Sequence, residues 1–294
     1  MKGAPDSLRL TAPASSANLG PGFDCLAVAL ELRNEVELRR SGDGEVRVVA
    51  SGEGGDRAGG RDNLFVRAFE HGGGDPAGIE FTMVNRIPYA RGLGSSAATI
   101  AAGLIAAEAW LSHEPGDLLG PATELEGHPD NVAAALNGGV TLAWTGEQGP
   151  AAIGFGDPGV EFVVVIAADE LATEAARAAL PATVSHADAT HTAARAALLV
   201  AALAAADSEL IGEALDDRLH EPYRAPLVPL LGAVRARIDR MHGALGATIS
   251  GAGPSVLVWC EPDHARQVAA ALDGMRGAQA RPFEVAEEGV TVEG

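Results

Sequence analysis

Apolar and polar residues alternate, or β-branched residues cluster, over Leu8–Ala12, Val28–Arg39, Glu45–Val49, Ile79–Val84 and Val140–Trp144. Such patterns predict strands with one face buried. Two alanine-rich segments, Ser96–Trp110 and Asn131–Leu136, interrupt them. Both lack proline and are dense in good helix formers, so they predict helices. The second half opens on Glu161–Ala167 (EFVVVIA), a continuous apolar run that predicts a strand covered on both faces. Helical patterns follow at Ala172–Leu180, Thr190–Ala206, Ser208–His220 and Leu227–His242. A short strand pair, Ala247–Ser250 and Ser255–Cys260, a helix over Pro262–Met275 and a last strand near Arg281–Val285 complete the chain. This order predicts an α+β fold in two lobes. The Gly- and Pro-rich stretch Gly146–Pro158 is the expected boundary, dividing the chain into residues 1–153 and 154–294.

Composition narrows the chemistry. The 294 residues carry a formal charge of −19, the opposite of the basic surface that nucleic acids or anionic membranes demand. No segment has the length and apolarity of a bilayer span or a signal peptide. The two cysteines, Cys25 and Cys260, exclude a disulfide scaffold and fit a reducing cytoplasm. None of this bears on self-association, so a homodimer is compatible with it. Twenty of the 21 basic side chains are arginine, and the single lysine is Lys2. A Walker A loop needs an internal lysine and a protein-kinase fold needs one on a strand. Any phosphate site in this chain must therefore work without lysine.

Pro88–Leu104 (PYARGLGSSAATIAAGL) offers such a site. A strand pattern runs into a Gly-rich turn, then two serines, then a helical run. Gly92 and Gly94 leave room for an anion to approach the backbone, and Ser95 and Ser96 fall where a helix start leaves free N–H groups. Those groups and the helix dipole attract phosphate, and Arg91 adds a positive charge. An ordinary serine-capped turn would show a similar but shorter pattern.

The segment GLGSSAA resembles the phosphate-binding motif of the GHMP kinase superfamily. Pro13–Leu30 (PASSANLGPGFDCLAVAL), Glu126–Gly139 (EGHPDNVAAALNGG), Asp216–Arg224 (DDRLHEPYR) and Ile249–Trp259 (ISGAGPSVLVW) are similar, in the same order, to the homoserine kinases within it. The resemblance spans essentially the whole chain. It implies a two-domain fold: an N-terminal, ATP-binding lobe like ribosomal protein S5 domain 2 and a ferredoxin-like C-terminal lobe. It also implies ATP-dependent phosphorylation of the L-homoserine side-chain hydroxyl, in threonine biosynthesis, with ATP and L-homoserine as small-molecule substrates and Mg²⁺ as the metal.

Residue by residue, the resemblance assigns the nucleotide to Pro88, Tyr89, Ala90, Arg91, Gly92, Leu93, Gly94, Ser95, Ser96, Ala97 and Ala98, with Asn63 bordering the adenine. It assigns Mg²⁺ to Ser96 and Glu126. Asn18, Asp24, His128, Arg195, Arg224, Gly251 and Gly253 fall to the amino-acid substrate. A carboxylate at Asp24 suits an ammonium group, and an arginine fork at Arg224 suits a carboxylate. The register at Arg195 departs from the family pattern, which usually carries an asparagine before the arginine, where this chain has Thr190-His191-Thr192-Ala193-Ala194. Asp130 has two readings, as the base that takes the hydroxyl proton or as the cap of the helix beginning near Asn131. A surface salt bridge to Asp216, Asp217 or Glu221 is the plain alternative for Arg224. Another small-alcohol kinase, acting on mevalonate or a sugar, and a non-catalytic nucleotide-binding regulator are the competing functions.

Overall fold

The computed structural model describes residues 5–55, 59–113 and 116–293, so Lys2 lies outside the described residues. The strand order follows the alternation. In the first sheet β1 (Ser7–Ala17) pairs antiparallel with the long β2 (Leu26–Arg40). One end of β2 takes β4 (Ile79–Asn85), which pairs in parallel with β3 (Arg47–Gly52). Its other end takes β5 (Val140–Gly146), which forms a hairpin with β6 (Gly149–Phe155). The chain's last strand, β11 (Thr291–Glu293), closes the far edge against β1.

The Gly146–Pro158 stretch holds strand β6, so a division at 153/154 cuts through a paired strand. Alternation is faint in Gly149–Phe155 because all seven residues are exposed or half-buried. The path from the first sheet to the second runs over residues 156–160, and β11 returns to the first sheet.

Helix α1 (Leu64–His71) precedes β4, and α2 (Ser95–Trp110) follows it. Ten of the sixteen α2 residues are buried, as expected of a helix that is apolar all round and runs through the core. α3 (Leu119–Glu126) and α4 (Asp130–Asn137) pack beside it.

The second sheet has the order β10-β7-β9-β8, with β7 Glu161–Ile166, β8 Ala244–Ile249, β9 Val256–Cys260 and β10 Gln279–Phe283, all antiparallel. The continuous apolar run of β7 hides a period of two. Phe162 and Val164 belong to the large core cluster shared with the first sheet. Val163 and Val165 join a separate cluster with Leu230, Leu231 and Val234 of α9 (Pro229–Ile238) and Val268 and Leu272 of α10 (Ala265–Leu272). Helices α5 (Thr173–Ala178), α6 (His186–Ala205), α7 (Ser208–Ala214) and α8 (Glu221–Arg224) fill the connection from β7 to β8.

The single helix expected over Ser208–His220 ends at Ala214. Asp217 ends it by offering the backbone other partners: its carboxylate accepts the N–H groups of Leu219, His220 and Glu221 at 2.8–2.9 Å. No described helix is long and apolar enough to cross a membrane.

Candidate active site

A cavity of about 400 Å³ opens between the two sheets. Its floor is the loop expected to hold phosphate. α2 starts at Ser95 with Gly94 as N-cap in the left-handed region, at φ 66°. Gly92 has φ 73°. Both positions therefore favour glycine on backbone grounds. The direction of the missing side chains corrects the simple picture of room for an anion. A Cβ on Gly92 would collide with the Ser250 carbonyl, and one on Gly94 with Ser15 Oγ. The glycines let the loop nest against the protein, which leaves its other side, with the helix N-terminus, facing the cavity.

Contacts from both lobes lock that nest. Ser15 N–H donates to the Leu93 carbonyl at 3.1 Å, and Ser15 Oγ to Asn131 Oδ1 at 2.8 Å. Ser250 Oγ donates to the Gly92 carbonyl at 2.6 Å and lies 2.8 Å from Ser16 Oγ. Arg91 lines the cavity, but its guanidinium donates to the carbonyls of Ala167, Ala168 and Tyr89 at 2.9, 3.0 and 3.2 Å. It ties the loop to the end of β7, and its charge is partly matched by Glu53 at 3.6 Å.

Beside the loop, Ser96 Oγ donates to Glu126 Oε1 at 2.6 Å. Burial raises the Glu126 pKa, against the Ser96 hydrogen bond and the His128 charge, which lower it. A carboxylate held in such a place gains from a cation. The hydroxyl and carboxylate are also both oxygen donors, the kind a hard divalent ion prefers.

Glu126 ends α3, and the turn Gly127–Pro129 leads straight into α4 at Asp130. Asp130 is 1% exposed. Its Oδ1 accepts from the Asn131 N–H at 2.7 Å and lies 2.8 Å from His128 Nδ1. The N-cap position itself falls to Pro129. Burial alone would lower the His128 pKa, but the Asp130 hydrogen bond and the charges of Asp130 and Glu126 raise it.

The opposite end of the cavity is charged. Arg177, on α5, grips Asp24 with two parallel hydrogen bonds, Nη2 to Oδ1 at 2.8 Å and Nη1 to Oδ2 at 3.1 Å. Arg224 is 2% exposed. It donates to the carbonyls of Ala176 and Gly251 at 3.3 and 3.4 Å and to His220 Nδ1 at 3.3 Å. His220 Nε2 must then be the protonated nitrogen, since it donates to the Gly20 carbonyl at 2.8 Å. Burial lowers the His220 pKa, consistent with that neutral tautomer. Phe23 lies under both guanidiniums, 5.1 Å from Arg224 and 5.9 Å from Arg177, a cation–π arrangement that holds like charges side by side. Burial, then the like charge of Arg177, lowers the Arg224 pKa. The salt-bridge alternative for Arg224 fails: Glu221 pairs with Arg235 at 2.5 Å, Asp216 with His191, and Asp217 caps backbone.

The cavity thus gathers Asn18, Asp24, the Pro88–Ser96 loop, Glu126, His128, Asp130, Arg224, Gly251 and Gly253. Ala97 and Ala98 are buried in α2 behind the loop. Three of the expected residues sit differently from the rest. Arg195 does not line the cavity; it projects from α6, and its Nη1 donates to the Glu213 carbonyl at 2.6 Å. Asn63 does not line it either; its side chain accepts from Phe65 N–H and caps α1. Asn18 lines it, yet both ends of its amide are engaged, Nδ2 with the Gly251 carbonyl at 2.7 Å and Oδ1 with the Asp24 N–H at 3.0 Å. It braces the turn that aims Asp24. That turn is strained: Asn18, Leu19 and Asp24 all have positive φ, a cost that clusters at functional sites. Arg177 is the residue that sequence reasoning missed. Its signal was the conjunction of a lone arginine in an alanine-rich helix with an acid 153 positions away, invisible without the fold.

Comparison with known proteins identifies the family. The model of the GHMP kinases N terminal domain matches residues 63–139, and that of the GHMP kinases C terminal matches residues 199–275. A homoserine kinase from Synechococcus sp. is 41% identical over 97% of this chain and 98% of its own. One from Streptomyces coelicolor is 44% identical over 90% of this chain and 88% of its own. Among solved structures, the homoserine kinase from Cytophaga hutchinsonii superposes with a TM-score of 0.88 at 29% identity, covering 100% of this chain and 99% of that one. The chain belongs to the homoserine kinase family of the GHMP kinases.

Proposed function

We propose that this protein transfers the terminal phosphoryl group of ATP to the side-chain hydroxyl of L-homoserine, forming O-phospho-L-homoserine for threonine synthesis in the cytoplasm. The observation that carries the proposal is the Asp24–Arg177 fork beside the buried Arg224, in the same cavity as the glycine-serine loop. An α-amino acid brings one charge of each sign. Its carboxylate takes over the arginines while its ammonium takes Asp24, so every charge stays paired. A substrate with a carboxylate alone, such as mevalonate, leaves Asp24 without its arginine. A neutral sugar must compete with the ion pair itself. The charge pattern therefore selects by penalty as well as by attraction.

The rest of the cavity suits phosphoryl transfer, which rests on positioning and charge stabilisation more than on covalent chemistry. The α2 N-terminus and the loop N–H groups receive the phosphates. Ser96 and Glu126 would hold Mg²⁺, which when bound neutralises charge on the phosphates. Asp130 Oδ1 and His128 Nδ1 lie 2.8 Å apart in the same cavity, where the substrate hydroxyl must lose its proton. From there Asp130 orients the hydroxyl and eases the proton's departure.

The deciding experiment measures ADP release with ATP and each of L-homoserine, mevalonate and galactose. Homoserine-dependent release at least about 10²-fold above the others supports the proposal, the span of two unmatched charged hydrogen bonds. Equal or greater release with another alcohol overturns it.

A further inference from the structure

At the far end of the β8–β9 hairpin from the cavity, two turns bring three metal-binding side chains together. His242 lies in the turn from α9 to β8; Glu261 and His264 lie in the turn from β9 to α10. One ligand atom from each lies within 4.8 Å of the other two, the single such His/Cys/Asp/Glu trio among the described residues. We propose that His242, Glu261 and His264 form a binding site for a divalent transition metal of the zinc class, with three protein ligands and a fourth position for water. The site rests on this chain's own side chains and does not depend on the proposed catalytic reading.

Four features fit that assignment. Two imidazoles and one carboxylate are a donor set that zinc and its neighbours favour over Mg²⁺, which prefers all-oxygen surroundings. His264 Nδ1 lies 2.9 Å from the Pro262 carbonyl, which can only accept. Nδ1 therefore donates to that carbonyl, which leaves Nε2 as the nitrogen for a metal, the outer-shell arrangement that orients metal-bound histidines. The two rings stack with centroids 4.8 Å apart and planes 19° apart, so their nitrogens can face one side.

The scaffold supplies the fourth feature. Gly243 has φ 84°, and a Cβ there would collide with the His264 ring. The imidazole therefore rests directly on the glycine. The Glu261 N–H donates to the Gly243 carbonyl at 2.8 Å and joins the two turns.

Tetrahedral ligands at about 2.0–2.1 Å from zinc stand about 3.4 Å apart. The exposed His242 side chain supplies the remaining movement by rotating inward. β8 has six residues, which separates this site from the Gly251–Gly253 turn by roughly 20 Å. A metal here would clip the two turns of the second lobe together and leave the cavity's chemistry untouched.

Co²⁺ is the probe, because its visible absorption reports ligand type and geometry. The full-length chain, without a histidine tag, is titrated with Co²⁺ in excess Mg²⁺. The wild type should bind one equivalent with a tetrahedral spectrum. Both His242→Gln/His264→Gln and Glu261→Gln should weaken that binding at least 10²-fold, with unchanged circular dichroism and unchanged ATP turnover. Glu126→Gln, at the cavity, should retain it. Absence of Co²⁺ binding by the wild type overturns the proposal. So does an equivalent that survives in both trio variants or disappears only with Glu126→Gln.

Discussion

The two ends of the cavity are built from different materials. The loop end is contiguous, Pro88 to Ser96, and offers backbone N–H groups, small residues and one nearby carboxylate. Its one arginine, Arg91, is bound to carbonyls of its own protein. The end proposed for the amino acid is assembled from side chains: Asp24 from the β1–β2 turn, Arg177 from α5 and Arg224 from α8, around Phe23. The contrast suits the proposed ligands. Phosphate oxygens are all alike and can be held by repeated backbone dipoles. An amino acid carries opposite charges at fixed separation, and only placed charges can read that.

If the two ends are independent, substitutions should separate them. The largest effect belongs to Glu126→Gln. Turnover should fall about 10²–10³-fold, the range for removing one preorganised charge-stabilising group, with a smaller change in ATP affinity. The raised Glu126 pKa adds a sign: a proton occupies the carboxylate up to a higher pH than usual. Mg²⁺ affinity should therefore drop as pH falls through that range, by up to about tenfold per unit for one displaced proton, and Glu126→Gln should abolish the dependence. Isothermal titration against pH measures both. An unchanged turnover would remove Glu126 from the phosphate end.

At the other end, Arg177→Leu and Arg224→Leu should each lower kcat/KM for homoserine by roughly 10–150-fold, equivalent to about 1.5–3 kcal/mol. The KM for ATP should hardly move. Arg177→Lys should recover only part of the loss, because an ammonium cannot copy the fork that grips Asp24. If ATP binding weakened equally, the two ends would be one site and the contrast would dissolve.

Asp130→Asn sits between the ends. Steady-state rates should fall by no more than about 10²-fold, the low edge of general-base catalysis. A deeper fall with unchanged melting would make Asp130 a full base.

His128→Asn tests the same pair through stability. The His128 pKa is raised in the folded protein, so its contribution is complete below the unfolded value near 6.5 and is lost as pH rises through the folded value. The variant should be less stable than wild type by about 1.5 kcal/mol at pH 6. Denaturant curves should converge as the pH rises.

The smallest effect should come from Arg195→Ala. Its guanidinium is committed to the Glu213 carbonyl outside the cavity, and homoserine kinetics should stay within about twofold, since surface changes are worth about 0.5 kcal/mol or less.

These expectations also mark how far the chain could be read without its fold. The loop was legible because its parts are neighbours in sequence: glycines at positive φ, a serine pair and a helix start all fall within ten residues. Ser96 and Glu126, thirty positions apart, are joined by a hydrogen bond that only the fold shows. Arg195 was assigned to the substrate and Arg177 overlooked. Local sequence cannot say which of two arginines on helices of one lobe faces inward. Asn18 also braces its turn through a glycine 233 positions away, a contact that local sequence does not show. β6 was lost in a Gly- and Pro-rich stretch because no face of it is buried deeply enough to leave a period.

The sequence by itself determined the strands and helices that carry a core and the absence of an internal lysine, so that any phosphate site must be built without one. Those properties depend on side-chain period and on conformational preferences a few residues long. Only the tertiary structure decided that Asp24 is gripped by Arg177, that Arg224 is buried over Phe23, and that the last strand returns to the first sheet. Charge pairing in a cavity is settled by packing across 100 to 200 positions of chain, and an exposed charge and a buried one are written with the same letter.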